Sequence, residues 1–101
     1  MDIRASKQTA SLTTQIDNAT LAIHRWDFGV GEKTGWHRHG HAYAVVPLVD
    51  GNLRIVSDSG EVIVPLKAGV SYARDAGVEH DVINAGPGRM AFVEIEIKGK
   101  A

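Results

Sequence analysis

The chain has 101 residues, 44% of them apolar and 23% charged, with a net charge of −1. That length suits one domain, and the near-neutral balance lacks the Lys/Arg footprint of a nucleic-acid or membrane-surface binder. There is no cysteine, which excludes a disulfide framework and any thiolate ligand or nucleophile.

Met1 to Ser11 is polar and has no apolar core of the kind a secretory signal needs, and no apolar stretch approaches the ~20 residues of a membrane span. A cytoplasmic location is the expectation. A chain this short buries only about 60–70% of the surface its unfolded form exposes, so a homodimer is expected as a way to bury more. The expected partners are a small-molecule ligand or substrate and a second copy, with no nucleic acid and no membrane.

In chain order, residues 1–8 read as a flexible start and 9–101 as a single domain. No segment carries a 3.6-residue apolar period. Short alternating runs broken by Gly, Asn and Asp every ten residues or so point to an all-β sandwich or barrel. Thr9 to Ile16 reads as a first strand, ending at Asp17-Asn18. Leu21 to Phe28 follows, with Ala22, His24, Trp26 and Phe28 on one face. Glycines at 29, 31 and 35 break the chain before a run of histidines.

Tyr43 to Val49 is the next strand, apolar on both faces, with Pro47 arguing for an edge or a bulge. Asp50-Gly51 carries a two-residue hairpin signal into Leu53-Arg54-Ile55-Val56. The turn Asp58-Ser59-Gly60 leads into Val62 to Leu66. Gly69 to Arg74, Val78 to Ile83 and Arg89 to Lys98 complete the set. In the last strand, Met90 and Phe92 add apolar surface opposite Ala91, Val93, Ile95 and Ile97. That surplus reads equally as a dimer contact or as the lining of the same barrel.

Four of the five histidines lie at His37, His39, His41 and His80. Imidazole is the commonest protein metal ligand. In an extended stretch His37, His39 and His41 point to one face, because strand side chains alternate. His80 lies in another extended stretch and could meet them inside a closed barrel. Three imidazoles hold a divalent ion with positions left open for water, substrate or O₂.

The spacing Gly31-x5-His37-x-His39 matches the opening of the first cupin motif. Gly69-x5-Asp75-x-Gly77-x2-His80-x3-Asn84 matches the second, with Asp75 where the family has proline. Over roughly residues 20–98 the chain resembles the cupin superfamily, and it is similar to small single-domain cupins associated with β-alanine degradation. The resemblance implies a jelly-roll β-barrel, a double-stranded β-helix, with His37, His39 and His80 as metal ligands. The metal-binding glutamate of motif one is missing. Tyr43 or Ala44 stands at its place, depending on the spacing taken.

His41 is therefore a candidate fourth metal ligand. Tyr43 is a candidate catalytic residue, as a ligand or as a hydroxyl donor to a bound species. The expected cofactor is a divalent transition metal: Fe(II), Mn(II), Ni(II), Cu(II) or Zn(II). The expected cavity is lined by residues such as Phe28, Tyr43, Val45 and Val82. His24 is read as a structural histidine, Asn84 as turn chemistry, and Tyr72 with Arg74 as a weaker candidate pair for a substrate carboxylate.

No Ser/His/Asp or Cys/His set and no phosphate-cradling loop is present. The expected function is a metal-dependent enzyme acting on a small organic molecule. By resemblance to three-histidine cupins, non-haem iron dioxygenase or oxidoreductase chemistry leads. The alternative is a non-catalytic small-ligand-binding or structural dimeric cupin.

Overall fold

The structure is a computed structural model that describes residues 9–99, so the expected flexible start over residues 1–8 lies outside the described residues. The regular elements are nine strands: β1 (Ser11–Asp17), β2 (Leu21–Phe28), β3 (His37–Arg38), β4 (Ala42–Pro47), β5 (Gly51–Ser57), β6 (Gly60–Leu66), β7 (Tyr72–Arg74), β8 (Glu79–Gly86) and β9 (Met90–Ile97). They form two antiparallel sheets, ordered β1-β2-β9-β4-β7 and β3-β8-β5-β6. After β2 the chain crosses repeatedly between the sheets, as the jelly-roll expectation requires. No helix of the structure is long and apolar enough to cross a membrane.

The inward faces meet in one core. Trp26 and Phe28 from β2, Tyr43 and Val45 from β4, Leu53 from β5, Val82 from β8, and Met90 and Phe92 from β9 are all buried there. Phe28 is fully buried, and its ring lies 5.4 Å from that of Phe92, within the range where tilted aromatic pairs attract. The face expected for β2 is the inward one: Ala22, Trp26 and Phe28 are buried while Ile23 and Arg25 are partly exposed.

Three local expectations are corrected. Pro47 is in neither an edge strand nor a bulge. β4 lies between β9 and β7, but β7 pairs only as far as Val45, so the missing N–H of Pro47 falls beyond that ladder. Asp50-Gly51 does not close a hairpin. It carries the chain from β4 in one sheet to β5 in the other, and Asp50 Oδ1 accepts a hydrogen bond from the Ala68 N–H at 2.9 Å. Met90 and Phe92, 1% and 3% exposed, are core rather than dimer surface. The outward face of β9 is instead Ala91, Val93, Ile95 and Ile97. The second expected turn does close a hairpin, with Ser57 paired to Gly60 across Asp58-Ser59.

Asn84, 1% exposed, does more than turn chemistry. Its Oδ1 accepts from the Gly86 N–H at 2.8 Å. Its Nδ2 donates to the Gly88 carbonyl at 2.9 Å and to the Phe28 carbonyl at 3.4 Å. It therefore ties the β8–β9 turn to the end of β2. Removing that amide strands buried backbone groups, so Asn84→Ala should destabilise the protein by about 2 to 3 kcal/mol. Urea unfolding measures this directly, and a loss under about 1 kcal/mol would mean that water replaces the amide.

Candidate metal centre

His37 and His80 come together by strand pairing. They are direct cross-strand partners in the β3–β8 ladder, and such partners project side by side from one face. His39 follows just beyond β3. Its N–H donates to the Val78 carbonyl at 2.8 Å, and its own carbonyl accepts from Gly77 at the same distance. The stretch from Lys33 to His39 thus runs antiparallel along β8.

Its register is not continuous. Lys33 bridges Ile83, whereas His37 opposes His80, so one extra residue is accommodated between them. A one-residue shift moves side chains to the other face, and this one turns His37 inward. Gly35 absorbs it with φ of +86°, a conformation glycine adopts without a Cβ penalty. The Gly35 N–H donates to Oδ1 of Asp81 at 3.0 Å. Asp81 is fully buried, pointing away from the cluster as its parity requires and holding the turn that aims His37. Glu79, the other neighbour of His80, is exposed.

The three rings converge closely. Nε2 of His37 lies 3.0 Å from Nε2 of His39, and Nε2 of His39 lies 3.2 Å from Nε2 of His80. One ligand atom from each lies within 4.8 Å of the others. The two close separations lie between the ~2.9 Å of right-angle ligands and the ~3.4 Å of tetrahedral ligands around an ion with ~2.05 Å bonds. Two of the three donor pairs therefore stand at the spacing of ligands on one divalent transition metal.

His37 Nδ1–H donates to the Gly35 carbonyl at 2.8 Å, which leaves the Nε2 lone pair facing its neighbours, the orientation a ligand needs. Burial, and then the neighbouring His37, hold His39 down to about 4. Burial, then His37 and His39, hold His80 down to about 3. Both are neutral at pH 7, the form that ligates.

The expected fourth ligand is corrected. Residues 37–41 are not one extended run, because the chain bends at Gly40 and His41. His41 lies outside the group of converging histidines. Tyr43 is buried and stacks on His39, ring centroids 3.8 Å apart and planes 18° apart. Burial pushes its phenol well above the ordinary tyrosine range, so it is a protonated hydroxyl rather than a phenolate.

Tyr43, Val45 and Val82 line the inner cavity, together with His80, Tyr72, Arg74, Phe92 and Glu94. Phe28, expected there, is not among the lining residues and packs in the core against the Phe92 ring. The cavity holds about 20 Å³, room for one water. A second, open groove of about 200 Å³ approaches His37 and His39 from outside, past His24, Trp26, Glu94 and Glu96. His24 Nε2 donates to Glu96 at 3.0 Å, and its Nδ1 lies 3.0 Å from the Thr14 hydroxyl, which suits a structural histidine. Arg74 is exposed at the cavity rim, 5.8 Å from the centre of the Tyr72 ring.

Glu94 escaped the sequence reading. It is only 8% exposed, and burial followed by the charge of Glu96 raises it to about 7. Its signal was present: Glu94 shares parity with Phe92 and Met90, the residues that turn out to be core. From β2, His24 faces it; from β4, Tyr43; from β7, Tyr72 and Arg74; from the opposite sheet, the three histidines. Because the folded value lies above the ordinary 4.5, ionising Glu94 opposes folding, and stability is lost as pH rises from 4.5 through about 7. Glu94→Gln removes that loss. Its stability advantage over the parent, measured on metal-free protein, should grow by on the order of 2 to 3 kcal/mol between pH 4.5 and 7.5 and then level off. A flat difference across that range would show that Glu94 ionises without cost.

These features have counterparts among known proteins. The family model described as "Cupin domain" matches residues 24–96. The "Beta-alanine degradation protein BauB" of Pseudomonas aeruginosa is 52% identical over 86 residues, covering 85% of this chain and 90% of that protein. A cupin domain from Bordetella pertussis superposes with a TM-score of 0.88 at 46% identity, over 93% of this chain and 98% of that one. A double-stranded beta-helix protein from Klebsiella pneumoniae superposes with a TM-score of 0.74 at 22% identity, over 98% of this chain and 85% of that one, a likeness of fold alone. The two-sheet barrel, the paired motifs and these matches together place the chain in the cupin superfamily.

Proposed function

We propose that the protein is a metal-dependent cupin enzyme acting on a small organic molecule, with dioxygenase-type oxidoreductase chemistry as the leading assignment. The observation that carries this reading is the mutual approach of His37, His39 and His80 within 4.8 Å, with both His39 and His80 held neutral by burial. These three residues would hold Fe(II), Mn(II), Ni(II), Cu(II) or Zn(II). An ion bound by three imidazoles supplies Lewis acidity and open positions for O₂ or substrate.

The chain's own residues do the rest. Gly35 and Asp81 aim His37, and Tyr43 backs the His39 ring while presenting a protonated hydroxyl. Val45, Leu53, Ile55, Val82 and Phe92 keep the inner cavity apolar. The open groove of about 200 Å³ is smaller than the ~300 Å³ at which drug-sized pockets begin, so it suits a compact metabolite. A relative named for degrading β-alanine supports a small-molecule setting.

A homodimer belongs to the same proposal. On the outer face of the five-stranded sheet, register aligns Ile16, Ile23, Ile95, Ala44 and Ala73 in one apolar row across all five strands. Leu21, Ile97 and Ala42 form a second row beside it, with Ile97 52% exposed. An antiparallel sheet ordinarily shows water an alternating polar face, and a second copy bringing the same rows would cover both.

Metal analysis of purified protein should find about one ion per chain, His80→Ala should lower occupancy at least about tenfold, and His41→Ala should leave it unchanged. Metal absent from the parent after reloading would sink the enzyme reading; iron with substrate-dependent oxygen uptake would support the oxygenase. In sedimentation velocity the parent should run at twice the chain mass and Ile95→Glu at once, since a charge on that row must be desolvated to dimerise. A dimeric Ile95→Glu would place the contact elsewhere.

A further inference from the structure

Arg74, although exposed, leaves its strand on the inward-facing side of the five-stranded sheet. It is the cross-strand partner of Tyr43, and Tyr72, two residues earlier, is the partner of Val45. Tyr43 and Val45 are both buried in the core. Directly opposed residues project from one face with Cβ atoms about 4.5–5.5 Å apart, so Arg74 rises beside Tyr43. The Tyr43 ring in turn stacks on His39, centroids 3.8 Å apart. One side chain thus separates Arg74 from the histidine cluster.

A strand ordinarily turns its polar residues outward, and this arginine does not. Nor is it spoken for. Arg25, Arg54 and Lys98 each pair with a carboxylate, whereas Arg74 has no hydrogen bond or ion pair among the described residues. Its guanidinium carbon stands 5.8 Å from the centre of the Tyr72 ring, close enough for the ring face to steady the fork. Arg74 and His80 together line the one-water cavity and also an open groove of about 290 Å³ beside Ser57 and Val78. Of the residues lining either space, Arg74 alone carries a fixed positive charge. On the groove's wall, Glu61 is taken up by Arg54 at 3.4 Å, and Glu79 is directed away from His80 by its parity.

We propose that Arg74 anchors the carboxylate of a compact substrate that lies in this groove with its other end directed at His37, His39 and His80. The inference rests on the metal reading above and supplies its substrate class. A guanidinium offers two parallel N–H donors to the two oxygens of a carboxylate, a match that no neutral group reproduces. The groove is a little smaller than the ~300 Å³ of drug-sized pockets, which suits an acid of a few carbons. A second oxygen or nitrogen donor on that acid would serve the position that three imidazoles leave open.

The test titrates the Co(II)-loaded full chain with β-hydroxypropanoate and, separately, with its uncharged amide, and follows the cobalt visible spectrum. The acid should half-saturate the parent at least about tenfold below the amide. Arg74→Gln should bind Co(II) as the parent does, lose at least about tenfold in affinity for the acid and leave the amide unchanged. Arg74→Lys should fall between, because a point charge keeps the attraction but not the fork. Arg38→Gln, which alters an exposed cation beside His37 and His39, should change neither ligand. Equal affinity for acid and amide in the parent, or no response to either, overturns the proposal while leaving the metal centre standing. An acid preference that survives in Arg74→Gln also overturns it, because the carboxylate would then be ligating cobalt directly; so does a preference lost in Arg38→Gln. Co(II) that fails to bind the parent sinks the metal reading. The carboxylate site is then decided by calorimetry on the metal-free chain: it stands if the parent prefers the acid and Arg74→Gln does not, and falls otherwise.

Discussion

The candidate site depends on one antiparallel pairing, that of Lys33 to His39 along β8. It makes His37 the cross-strand neighbour of His80 and fastens His39 through paired backbone bonds to Gly77 and Val78. The one-residue shift at Gly35 then decides which face His37 occupies. Asp81, buried one residue beyond His80, holds that shift through the Gly35 N–H. A ligand geometry set by backbone hydrogen bonds costs little to maintain, because those bonds must be made in any folded state. This is why two residues of strand suffice to place His37.

The interior combines groups that would not stay buried together without a reason. Three imidazoles face one another with nitrogens 3.0 and 3.2 Å apart, and the Glu94 carboxyl lines the same cavity as His80. Burial first, and then neighbouring charges, shift His39, His80 and Glu94 toward their neutral forms, an unfavourable grouping inside an otherwise apolar core. Such a local conflict is characteristic of functional sites, where stability is given up for preorganisation. The surrounding packing of Phe28, Leu53, Met90 and Phe92, each at most 3% exposed, bears that load.

Much of this was legible in the order of residues. The β2 strand and its buried face, the Asp58-Ser59 turn, and the selection of His37, His39 and His80 all follow from alternation, turn chemistry and two spaced motifs. What was misread shares one cause. Asp50-Gly51 has the composition of a hairpin but joins two sheets. Pro47 suggests an edge but merely outlasts its neighbour strand. His41 has the parity of a ligand but sits past a bend. Each is a question of which strand lies alongside, and local composition does not encode neighbours.

The last strand shows where the division falls. Alternation along Met90 to Ile97 separates Phe92, Glu94 and Glu96 from Val93, Ile95 and Ile97 without any structure. Whether the glutamates or the isoleucines face inward was decided only when β9 was placed between β2 and β4, with Phe92 opposite Trp26 and Pro47. The sequence by itself determined the β class, the family motifs and the three histidines, because those rest on period and spacing. The tertiary structure alone decided the turn at Gly35, the exclusion of His41 and the inward carboxylate of Glu94, because those depend on register between strands far apart in the chain.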